Sequence, residues 1–172
     1  MKNIFFTITI FISAYASAQV AIGKSSVSNN SVSLEFGNEN RGLLLPWVTS
    51  TAAVTGAVNG TLVYNTSDKK IYVKYNSGWK DLSIDITGAV DTSLQNALSD
   101  KPTAKVMIGG DPTTDTTPGI LVLADTNKAM VLPKVASPHL NIVNPSAGMM
   151  VYDTTAKQLA VFNGTVWSFW KP

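Results

Sequence analysis

The sequence predicts an all-β protein made of two tandem β-meander, β-sandwich-like repeats joined by a short helical linker. Three observations carry that prediction. First, one order of residues occurs twice. Gly42-Leu43-Leu44-Leu45-Pro46, Gly60-Thr61-Leu62-Val63-Tyr64-Asn65-Thr66 and Tyr75-Asn76-Ser77-Gly78-Trp79 return as Ala129-Met130-Val131-Leu132-Pro133, Gly148-Met149-Met150-Val151-Tyr152-Asp153-Thr154 and Phe162-Asn163-Gly164-Thr165-Val166-Trp167. Pro46 and Pro133 are 87 residues apart, while Gly60 to Gly148 and Trp79 to Trp167 are each 88, so the duplicated object is a structural unit. Second, the apolar runs are short, rich in β-branched and aromatic residues, and separated by turn formers. Third, helical periodicity is confined to one segment between the copies.

The elements follow in order. Residues 1–18 read as a secretory signal peptide: a positive start at Lys2, an apolar run from Ile4 to Tyr15, and the small-residue cleavage site Ala16-Ser17-Ala18 before Gln19. The run is too short for a membrane span, and no later segment is apolar enough to be one. The expected product is exported, to the extracellular space, outer surface or periplasm. With no cysteine in the chain, a lipid anchor on a lipobox thiol is excluded.

Repeat 1 is expected over 19–83. Ser33 to Phe36 and Leu43 to Leu45 are strands, the latter ended by Pro46. Leu62 to Tyr64, Ile71 to Tyr75 and Trp79 to Leu82 form the meander, with turns at 65–69 and 76–78. Thr49 to Asn59 is a surface loop. Residues 84–105 form the linker. There Val90, Leu94, Ala97 and Leu98 fall on one helical face, with Asp91 or Thr92 as N-cap and Pro102 as the stop. A helix of about ten residues is unstable alone in water and needs a packing partner. Repeat 2 is expected over 106–172. It opens with loop-like sequence at Asp111 to Pro118 and continues with strands at Ile120 to Leu123, Met130 to Leu132, Met149 to Tyr152, Leu159 to Phe162 and Thr165 to Phe169. Asn163-Gly164 is a strong hairpin signal, since a type I′ turn needs φ > 0 at both central residues.

Composition narrows the function classes. There are 13 basic and 11 acidic residues, net +2, and only 14 % of residues are charged. No field attracts nucleic acid or anionic lipid. A secreted chain without disulfides must hold itself by packing. A repeat of roughly 70 residues is marginal on its own core, so the repeats bury surface against each other or several chains associate.

No chemistry-bearing constellation emerges, and no catalytic, metal or cofactor-binding residue is assigned. The one histidine, His139, sits in a loop of the second copy, with no nucleophile and orienting acid to make it a catalytic base. Zinc sites of His and Cys lack ligands. Asp111 and Asp115 do not fit a calcium-loop pattern and suit turn starts. No acid lies where a glycosidase carboxyl with a raised pKa is expected, and no Gly-rich phosphate loop is present. Aromatic faces can stack on sugar rings. Trp47, Tyr72 and Trp170 are therefore the candidate ligand or partner contacts, the tryptophans because the other copy has no aromatic counterpart. Trp79 and Trp167 are expected to pair across strands with Tyr75 and Phe162.

The run Gly42 to Val48, followed by Gly60 to Thr66 and Tyr75 to Trp79, resembles a repeat of exported surface proteins of Bacteroidetes, and is similar to segments of fibre-like and tail-fibre-like proteins. The resemblance covers both copies, and Leu62 to Trp79 is its most specific part. The second copy departs from it at Ala129 and Asp153, so no binding residues carry over. The resemblance implies a secreted or surface-displayed structural or adhesin-like module without enzymatic activity or cofactor. The linker helix is similar to stalk pieces of trimeric fibres, which implies a homo-oligomer, a trimer by preference. The exposed aromatics give the alternative of a carbohydrate-binding module, with a surface glycan or another surface protein as the external partner.

Overall fold

The computed structural model describes residues 19–99, 101 and 103–170. The expected signal peptide and the helix stop at Pro102 lie outside the described residues. The architecture is nearly all β, and each repeat supplies seven short strands. In the first they are β1 (Val20–Ile22), β2 (Val32–Phe36), β3 (Leu43–Leu44), β4 (Trp47–Val48), β5 (Leu62–Asn65), β6 (Lys70–Tyr75) and β7 (Gly78–Asp81). In the second they are β8 (Val106–Ile108), β9 (Leu121–Leu123), β10 (Ala129–Val131), β11 (Lys134–Val135), β12 (Met149–Asp153), β13 (Gln158–Phe162) and β14 (Trp167–Trp170).

The meanders form as their turns dictate. Between β5 and β6 the Asn65 Oδ1 accepts the Ser67 N–H at 3.0 Å, and Lys69 turns the chain at φ 60. The second repeat uses Asp153 in the same place: its Oδ1 accepts from the Thr155 and Ala156 N–H groups at 2.8 and 3.2 Å, with Lys157 at φ 55. A short polar side chain at that position closes an Asx turn, which is why Asn and Asp interchange there. The last hairpin differs from the expected type I′ turn. Only Gly164 has positive φ, at 103. Asn163 is instead buried, and its Oδ1 accepts from Thr165 and Val166 at 2.9 and 2.8 Å. The strand consequently starts at Trp167, two residues later than the sequence pattern implies.

The two meanders pack face to face as a sandwich. Period-two alternation puts Tyr64 and Ile71 of β5 and β6, and Met150 and Val161 of β12 and β13, into one core with Leu45 and Ala147. On the far face of the second meander, Val135, Ile142, Val151 and Ala160 form a second cluster covered by Trp167 and Phe169. Burying each large aliphatic side chain in these layers is worth roughly 1.5–3 kcal/mol.

Strand pairing crosses the repeat boundary in both directions. β10 of the second repeat adds in parallel to β2 of the first, giving the order β1-β2-β10. β3 of the first repeat adds antiparallel to β12 of the second. The remaining sheets are the meander β4-β5-β6-β7, the second meander β11-β12-β13-β14, and the parallel pair β8-β9. Each repeat thus completes a sheet of the other.

The linker begins as an extended strap. The Ile71 N–H donates to Ser83 Oγ at 2.9 Å and the Ile84 N–H to Ser168 Oγ at 3.0 Å, so the strap touches both meanders. Thr165 Oγ1 donates to the Thr87 carbonyl at 2.8 Å, and Asn163 Nδ2 to Asp85 Oδ1 at 3.2 Å. The expected ten-residue helix contracts to one turn, Ser93–Asn96. Thr92 is the N-cap and makes no side-chain cap bond; Asp91 Oδ1, one residue earlier, accepts the Ser93 N–H at 2.9 Å. Without a partner under its apolar face, the cost of nucleation limits it to that turn.

Candidate self-association surface

The three aromatic candidates fall in two different places. Trp47, at the start of β4, lies at the junction of the repeats. Its Nε1–H donates to the Ala147 carbonyl at 2.9 Å, and its ring stands 6.1 Å from that of Tyr64. Gly148 lies against this pair: at φ 84, an added Cβ would stand 2.8 Å from the Tyr64 Cβ, too close for any larger residue. Trp170, at the end of β14, makes the reciprocal junction by donating its indole N–H to the Leu82 carbonyl. Lys80 Nζ sits 5.8 Å from the centre of that ring. Both indoles therefore bridge the two repeats. Tyr72 opposes Val63 and Asp81 on the other face of the first meander. Its hydroxyl donates to Asp68 Oδ2 at 2.7 Å, and burial, with that bond, pushes its pKa up.

The expected hairpin aromatics resolve differently in the two copies. Phe162 faces Trp167, with ring centres 5.3 Å apart. In the first copy the residue opposite Trp79 is Lys74, not Tyr75. Its Nζ lies 6.0 Å from the Trp79 ring. Tyr75 is instead opposite Gly78 and half exposed.

The polar side chains serve turns. Asp111 Oδ1 accepts from the Thr113 N–H and hydroxyl at 2.9 and 2.6 Å, and Asp115 Oδ1 from the Thr117 N–H at 2.7 Å. These threonine bonds hold both carboxyls below their usual pKa. His139 stands in the short helix Pro138–Asn141, edge-on to Phe169 with ring centres 5.8 Å apart. No group of three or more acids and histidines among the described residues is placed to hold a metal ion. The buried Glu35 is held by Lys24 Nζ at 2.7 Å and by the Ser28 N–H and hydroxyl, each at 2.6 Å. The bonds from Lys24 and Ser28 pull its pKa down to about 2. This is a structural clamp at the foot of β2.

Large apolar side chains are left uncovered in several places, Leu140 and Val143 of the second repeat at 73 % and 82 % among them, and four fall in the linker. Ile84 and Ile86 alternate outward from the strap at 71 % and 78 % exposure, and Leu94 and Leu98 follow at 78 % and 74 %. Scattered exposed aliphatics are ordinary, but four large ones along one connecting segment make it the candidate interaction surface. The sequence reading located the Leu94–Leu98 face by its period. It missed Ile84 and Ile86, whose alternation signals an extended segment with one face outward.

The family comparison shows what kind of module the chain is. The model of the phage tail like trimerisation region matches residues 21–97 and 110–171. The chain belongs to that family. The match covers both repeats and the first part of the linker, including the helical turn. No curated protein and no solved structure matches the chain. As a member of a trimerisation region family, the chain is a structural, self-associating module of fibre-like type, and the homotrimer is the favoured assembly. No helix among the described residues is long and apolar enough to cross a membrane.

Proposed function

We propose that this protein is a non-enzymatic building block of an exported fibre-like assembly, displayed at or released from the cell surface. Three copies associate with their linkers against one another and present the double meanders outward. The observation that carries the reading is the exposed run Ile84, Ile86 and Leu94 inside the segment that the trimerisation family spans, with Leu98 one residue beyond its end. Three such faces cover one another and extend the helical turn, which a lone chain stops at four residues.

An adhesive role belongs to the positions where the copies differ and a side chain lies outside the inter-repeat core, of which Tyr72 is the clearest. A surface glycan or another surface protein is the proposed partner. Electron microscopy of the chain from residue 19 onward tests the assembly, with threefold particles expected and single-chain particles contradicting it. Glycan arrays test the adhesive role. Binding that Tyr72→Ala abolishes supports it, and an array without hits removes the glycan.

A further inference from the structure

The two meanders are built alike except along one edge. In the second, two strands share the outer edge of β12. β11 lies beside Tyr152 and Asp153, and the Tyr152 N–H donates to the Pro133 carbonyl at 2.9 Å. β3 lies beside the other half, Leu44 opposite Met149 and Leu43 opposite Met150, and the Leu45 N–H donates to the Gly148 carbonyl at 3.1 Å. The first meander has only half of this. β4 lies beside Tyr64 and Asn65, and the Tyr64 N–H donates to the Pro46 carbonyl at 2.9 Å. Among the described residues no strand lies beside Thr61 and Leu62, which stand where Met149 and Met150 stand in the other copy.

That edge is open to pairing. The Thr61 carbonyl accepts the Lys74 N–H at 2.9 Å, so by the antiparallel alternation the main-chain groups of Leu62 point away from β6. An apolar groove of about 320 Å³ lies beside it, lined by Leu62, Val73, Leu82, Met130 and Leu132 among others. The counterpart of β3 is β10. It ends its own sheet, held on β2 with Met130 opposite Leu34 and Val131 opposite Glu35, and its outer edge has no strand partner among the described residues.

We infer that β10 of one copy adds antiparallel to the open edge of β5 in a second copy, with Val131 opposite Thr61 and Met130 opposite Leu62. The Leu132 N–H then meets the Gly60 carbonyl, as Leu45 meets Gly148 within the chain. The occupant is a second copy because the chain itself shows which strand covers this edge, while its own β10 is committed to β2. The pairing rests on the trimer reading and specifies its register. It also removes an unpaired edge, which otherwise invites aggregation.

The chain has no cysteine, so cross-linking reads the register directly. Thr61 and Val131 correspond to Met149 and Leu44, a pair not joined by main-chain hydrogen bonds, in which Cα atoms approach to about 4.5 Å and suit a disulfide. Two chains, one carrying Thr61→Cys and the other Val131→Cys, are co-expressed, oxidised and run on a non-reducing gel. Leu44→Cys with Met149→Cys in one chain is the internal control, and Leu62→Cys against Met130→Cys repeats the test at the next position. The expected result is a covalent two-chain species in the mixture and in neither single variant. A three-chain particle with no such species at either position overturns the pairing and leaves the trimer standing. A link that forms only when both cysteines share one chain overturns the second copy as occupant. A particle with the mass of one chain overturns both.

Discussion

Tyr64 shows how a single position can hold two repeats together. It is fully buried, and its hydroxyl donates to the Asn163 carbonyl of the opposite meander at 2.8 Å. Burial pushes its pKa up to about 12. Tyr64→Phe leaves that carbonyl unpaired in the core, and denaturant unfolding is expected to show a loss of about 1–3 kcal/mol. Its counterpart Tyr152 is half exposed, so Tyr152→Phe is expected to be near neutral in the same assay. Glu35 gives the molecule an acid limit. Its pKa falls from 4.5 to about 2 on folding. A depressed carboxyl contributes stability that is complete above the unfolded value and is lost as pH falls through the folded one. Unfolding measured across pH 5 to 2 is therefore expected to weaken progressively below about 4.5 in the native chain. Glu35→Gln is expected to be less stable at neutral pH and flatter across that window. The identity of neither residue betrays its role in the sequence. Tyr64 and Tyr152 occupy the same place in the motif, and only packing between repeats buries one of them.

At the scale of elements, the meanders were legible because their information is local. Asn65 and Asp153 close turns with their own side chains, and the apolar alternation of β5, β6, β12 and β13 names the core face. The other strands were not legible to the same degree. β4 and β11 are two residues long and β1 and β8 three, and all four pair in parallel with strands that no hairpin places beside them. The crossing of β3 to β12 and β10 to β2 spans about one repeat of sequence and leaves no periodic trace. The linker was half legible: its period named Leu94 and Leu98, which are exposed, but also Val90, which packs on the core, and the helix is one turn instead of about ten residues. Because Leu94 and Leu98 contact little in one chain, Leu94→Ser with Leu98→Ser is expected to leave the β signal in circular dichroism intact. In sedimentation the same variant is expected to shift from three chains toward one. A variant that stays trimeric places the interface elsewhere. Of the candidate contacts, Trp47 and Trp170 were legible as positions that differ between copies, but not as bridges across the repeat junction.

The whole molecule is a sandwich whose halves are interdependent. The duplicated sequence invites division into 19–83, 84–105 and 106–172, yet β12 takes a strand from the first part and β2 takes one from the last. Residues 106–172 expressed alone are expected to lack a cooperative unfolding transition. The chain from residue 19 onward is expected to show a single transition by all probes. Two separable transitions would mean that the repeats are independent domains. The central claim is that this double meander is made to assemble in threes. Native mass spectrometry of the chain from residue 19 onward tests it most directly. The account predicts a dominant species of three chains that persists on dilution to micromolar concentration, and a stable, folded species of one chain would contradict it.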